Sequence, residues 1–98
     1  MELVLKIEKQ NLQKVKDILL KDEIVSKASI IFKESKSLGL DGVYYYCYIS
    51  GLDEVCNKAK ELTKDLVKIV NEKDTKEIIK KIKSEEESAM TGFGNIFG

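Results

Sequence analysis

Two thiols, Cys47 and Cys56, and a row of phenols, Tyr44, Tyr46 and Tyr48, are the side chains here with the most chemical potential. The thiols stand nine positions apart, too far for a Cys-x-x-Cys redox pair, and no other soft ligand completes a zinc site. The chain has no histidine, so it has no imidazole base, no Ser-His or Cys-His pair and no imidazole metal ligand. All 17 basic residues are lysine, which removes the bidentate reader of phosphate, carboxylate or guanine. Aspartate and glutamate alternate with lysine at helical spacings, the pattern of a solvated surface rather than of catalytic carboxylates. The expectation is a non-enzyme without metal or cofactor, in which both cysteines are small, reduced core residues.

Tyr44, Tyr46 and Tyr48 fall on one face of one strand, about 6.8 Å apart. Such a row can stack bases on an open sheet, as in RNA-recognition domains. It can also be covered by the last helix or by the same face of a second subunit, since tyrosine buries area while keeping a polar tip. A small ligand is a further use. Zero formal net charge and the lack of arginine argue against nucleic acid as a partner. The segment Ile49–Glu54 leads into a helix N-terminus, where anions can bind. Asp53 and Glu54 already occupy that positive end, so helix capping is the expected role.

The elements that would position these residues follow from periodicity. Leu3, Leu5 and Ile7 alternate with Glu2, Lys6 and Glu8, Val4 being the exception, and predict a strand. Asn11 is the expected cap of a helix carrying Leu12, Val15, Ile18 and Leu19 on one side. Ala28, Ile30 and Phe32 alternate as a second strand, Asp41-Gly42 marks a turn, and Val43, Tyr45, Cys47 and Ile49 line one face of a third. Leu52, Val55, Ala59, Leu62, Leu66 and Ile69 recur in steps of three and four, which predicts one long helix. Asp74 and Glu77 form a capping-box-like start to a last helix bearing Ile78, Ile79 and Ile82. The predicted class is α+β in the order β-α-β-β-α-α, with a three-stranded, mostly antiparallel sheet, helices packed on one face and a flexible C-terminal tail. Residues 1–72 make the α+β domain, 73–88 an acidic helix and 89–98 a Gly/Phe-rich tail.

At 98 residues, 43% hydrophobic and 35% charged, the chain has an ordinary globular composition. No apolar run approaches the roughly 18–20 residues that span a bilayer. No signal-peptide pattern opens the sequence, so the expected location is the cytoplasm without membrane contact.

The last residues carry the most information about function. Glu85, Glu86 and Glu87 precede Met90, Phe93, Ile96 and Phe97, which are interrupted by Gly92 and Gly94. On a helix, Met90, Phe93 and Phe97 take the i, i+3, i+7 spacing of a peptide that lies in a hydrophobic groove. The two glycines each cost about 1 kcal/mol of helix stability, so the segment is expected to order against a partner rather than alone.

This ending, EEESAMTGFGNIFG, resembles the C-terminal end of the ribosomal stalk proteins, the acidic stalk proteins of eukaryotes and the archaeal stalk protein. Glu85, Glu86, Glu87, Met90, Gly92, Phe93, Gly94, Ile96, Phe97 and Gly98 carry the likeness, and residues 1–72 do not share it. The resemblance implies an arm that captures translational GTPases and related factors, with Phe93, Ile96 and Phe97 as anchors and the glutamates steering toward a basic surface. The competing expectation is a homodimeric assembly subunit whose tail and tyrosine face are buried in its own interface.

Overall fold

The computed structural model describes the backbone of residues 1–97 and the side chains of residues 1–86. β1 (Glu2–Glu8) sends Leu3, Leu5 and Ile7 to one face and Val4 to the other, and all four are buried. α1 (Leu12–Lys21) follows, with Val15 and Leu19 buried against the first of these faces. β2 (Ser29–Glu34) and β3 (Tyr44–Ser50) form an antiparallel hairpin. The expected turn at Gly42 is present, at φ +94, where a Cβ would come within 2.9 Å of the Tyr44 ring. The buried Ser35 hydroxyl holds that turn, donating to the Gly42 carbonyl at 2.8 Å and accepting from the Tyr44 amide at 3.2 Å.

α2 (Asp53–Thr63) begins where the sequence predicts and stops six residues before Ile69. The helical stripe does not continue through Leu66 and Ile69. The Thr63 hydroxyl donates to the Ala59 carbonyl at 2.7 Å, and the Leu66 amide donates to the Thr63 carbonyl at 2.8 Å, closing the helix in a turn. Val67, Ile69 and Val70 are β-branched, and the first two enter a short strand, β4 (Val67–Ile69), beside β1. Asn11 makes no cap bond to α1; its side-chain amide reaches the Leu66 carbonyl at 3.4 Å and ties the start of α1 to this turn.

The fold is α+β, as expected, with four strands in the order β2-β3-β1-β4, all neighbours antiparallel. Each of the β1-α1-β2 and β3-α2-β4 units leaves room for one strand between its own two, the split β-α-β arrangement.

The last helix, α3 (Glu72–Phe97), starts earlier than Asp74. Asn71 supplies the cap: its Oδ1 accepts from the Asp74 amide at 2.8 Å, and its Nδ2 donates to the Asp74 carboxylate at 2.9 Å.

The helices do not share one face. α1 and α2 cover Leu3, Leu5, Ile7, Cys47 and Ile49, whereas Ile78 and Ile82 of α3 pack with Val4, Leu38, Tyr46 and Tyr48 on the opposite face. The reason is that β1 and β3 carry large side chains on both faces, and each face needs its own cover.

Candidate functional site

The tyrosine row lies beneath α3. Tyr46 and Tyr48 are buried, and Tyr44 is half-buried at their edge. Antiparallel pairing sets Tyr46 between Lys33 of β2 and Lys6 of β1, and Tyr48 between Ile31 and Val4. The same chain therefore occupies the surface that bases or a second subunit would need. The rings of Tyr46 and Tyr48 fill a core, and the Tyr48 hydroxyl is tied at its rim. The Tyr48 hydroxyl donates to the Glu2 carboxylate, which also meets Lys83 of α3 at 3.4 Å. Burial, and then the Glu2 carboxylate, push the Tyr48 phenol up to about 12. The hydrogen bond from Tyr48 is the main reason Glu2 sits below its ordinary carboxylate range.

Two of the three tail glutamates are engaged. Lys33 Nζ lies 3.4 Å from Glu85 and 3.1 Å from Glu86, bridging β2 to α3. Glu86, first, and Glu85 hold the Lys33 ammonium above its usual value. Glu85 Oε2 is buried without a hydrogen-bond partner among the described residues. The side chains of Glu87, Met90, Phe93, Ile96 and Phe97 lie outside the described residues, and the backbone of 89–97 continues α3 where the sequence predicts a separate tail over 89–98.

Both cysteines are free and buried. Burial pushes the Cys47 thiol up to about 12 and raises Cys56 as well, whose sulfur lies 3.6 Å from the Met1 carbonyl. Thiols in this state are poor nucleophiles. Among the described residues no group of three His, Cys, Asp or Glu side chains could hold a metal ion, and no helix is long and apolar enough to cross a membrane.

A feature that the sequence does not reveal sits at the other end of the α3 face. A cavity of about 400 Å³ opens between the β1–β4 pair and the first turns of α3, with Lys6, Tyr46, Lys68, Asp74, Glu77 and Ile78 in its walls. Lys6 and Lys68 are direct partners across β1 and β4. Their meeting is invisible without β4, because the helical reading of Leu66 and Ile69 puts Lys68 on a solvated helix face. The chain matches no protein-family model, no curated protein and no solved structure.

Proposed function

We propose that this chain is a non-catalytic, cytoplasmic adaptor that presents residues 85–98 to a translational GTPase or a related ribosome-associated factor. The observation that carries the reading is the stalk-like ending itself: an acidic run followed by Met90, Phe93, Ile96 and Phe97 at groove-binding spacing. A second observation supports it. The described residues already cover both faces of the sheet, with Ile78 and Ile82 closing the α3 side upstream of Met90. On this reading the tail anchors serve a partner rather than the core. Lys33 holds Glu85 and Glu86 in the free chain, so a basic groove would compete with Lys33 for them.

The test is binding of purified translational GTPases to the full chain, with and without Phe93→Ala or Phe97→Ala. Each ring contributes about 1.5–3 kcal/mol on full burial, so either variant weakens the complex about tenfold or more. The melting temperature stays nearly unchanged, and a ribosomal stalk peptide competes with the chain for the factor. A large fall in melting temperature for Phe97→Ala, or loss of a dimer, would instead assign the tail to the core or to a homodimer interface. Unaltered affinity in both variants would remove the adaptor reading.

A further inference from the structure

Lys6 and Lys68 stand directly opposite each other on adjacent antiparallel strands, where Cβ atoms are about 5 Å apart and like charges repel. Among the described residues, no carboxylate approaches either ammonium within ion-pair distance; the lysines that do pair are Lys33, Lys58 and Lys83. The Lys6 ammonium rests over the Tyr44 ring, 4.0 Å from its centre, a contact that leaves its charge uncompensated. Beside it, Tyr46 makes no hydrogen bond through its hydroxyl to another described residue. Burial, then Tyr44 and Asp74, raise its phenol above the ordinary value, so it remains a neutral donor.

The facing wall has the opposite sign. Asp74 is fixed in the cap with Asn71 and lines the cavity, and Glu77 stands one turn further along α3 without an ion pair among the described residues. Leu40, Val70 and Ile78 add apolar surface to the lining. The cavity holds about 400 Å³, at the small end of the range of ligand pockets. Two ammonium groups on the sheet and two carboxylates on the helix leave it neutral as a whole and strongly divided within. A simple anion would be attracted by one wall and repelled by the other. A molecule bearing both charges is complementary to both.

We propose that this cavity binds a small zwitterion of the amino-acid or short-peptide class. Its carboxylate sits between Lys6 and Lys68 and accepts from the Tyr46 hydroxyl. Its ammonium faces Glu77 and Asp74, and a short apolar body lies against Ile78 and Leu40. The negative group relieves the repulsion built into the β1–β4 pair, so occupancy also stabilises the β4 edge.

The full chain is titrated with the free amino acids, γ-aminobutyrate and a set of dipeptides, by calorimetry and by amide chemical shifts. Each binder is then compared with its N-acetylated and its C-amidated form. At least one zwitterion is expected to bind with a Kd below about 1 mM, and to lose about tenfold or more when either charge is removed. Lys68→Met and Glu77→Gln, both at exposed positions, should each cost a similar factor while the amide spectrum elsewhere is retained. The proposal is overturned if no probe shifts the Tyr46, Lys68 and Asn71 amides at about 10 mM, a concentration that detects even weak sites. It is equally overturned if both variants bind as the parent does. Inorganic phosphate binding as tightly as the zwitterion, with no loss in Glu77→Gln, would make this an anion site and refute the assigned class.

Discussion

Ile82→Ala tests whether α3 belongs to the folded core rather than to an appended arm. Ile82 is fully buried, 0% exposed, against the Val4, Tyr46 and Tyr48 side of the sheet. Truncation removes its transfer free energy and leaves a cavity, because rings anchored at their rim by the Tyr48–Glu2 contact cannot collapse fully into the gap. An isoleucine-to-alanine change in such a place costs about 2–5 kcal/mol. Domains of this size have a total stability of about 5–15 kcal/mol, so the loss is a large fraction of the whole. At about 4–8 °C per kcal/mol the melting temperature falls by roughly 8–40 °C. The assay is a urea titration followed by circular dichroism and by tyrosine fluorescence, which no tryptophan obscures. Ile69→Ala on β4, at a side chain 58% exposed, is the matched control and should cost well under 1 kcal/mol. A loss below about 1 kcal/mol for Ile82→Ala, with an unchanged denaturant slope, would refute the two-sided core.

Thiol labelling of the native protein at mildly alkaline pH should be slow at both Cys47 and Cys56 and become fast only on unfolding, since each thiol is buried and held protonated; rapid native labelling of either would refute this. Tyr48 makes stability fall at high pH. Its folded pKa of about 12 exceeds the ordinary value of 10.0, so its contribution is complete below about 10 and is lost as pH rises to 12. Glu2→Gln removes the negative charge beside the phenol while keeping an acceptor and the burial, so ultraviolet phenolate titration should find Tyr48 ionising earlier than in the parent. An unmoved titration would show that Glu2 does not hold the Tyr48 hydroxyl.

The strands and helices that the sequence reveals are those whose periodicity answers to one neighbour. Val15 and Leu19 on α1, and Cys47 and Ile49 on β3, show their buried side directly. Val4 was the informative irregularity. Its break in the β1 alternation marks a strand covered on both faces, and Ile78 and Ile82 are the residues that cover it. β4 was hidden because Leu62, Leu66 and Ile69 happen to keep helical spacing through a chain reversal. Only the β-branched run after Thr63, together with the Thr63 hydroxyl bond to Ala59, distinguishes a strand there. The lysine pair of the cavity was hidden for the same reason. It exists only through the register of a strand that local pattern assigns to a helix. Lys33 and Glu85 lie 52 positions apart in the chain, and no local rule can predict a pairing of that length.

The central place of β1 has a consequence for biosynthesis. It leaves the ribosome well before both of its partners: Leu5 pairs with Cys47 on one side and with Ile69 on the other. Until β3 is made, its apolar residues can be sheltered on one face by α1 alone, and both hydrogen-bonding edges stay open. The nascent chain thus carries an unpaired, aggregation-prone strand until β3 has been made. Closure of the sheet waits on contacts of high sequence separation, which slows folding relative to a helical bundle of the same size. The charged residues Glu2, Lys6 and Glu8 that interrupt β1 keep that waiting strand in solution, a role that they hold before any native contact has formed.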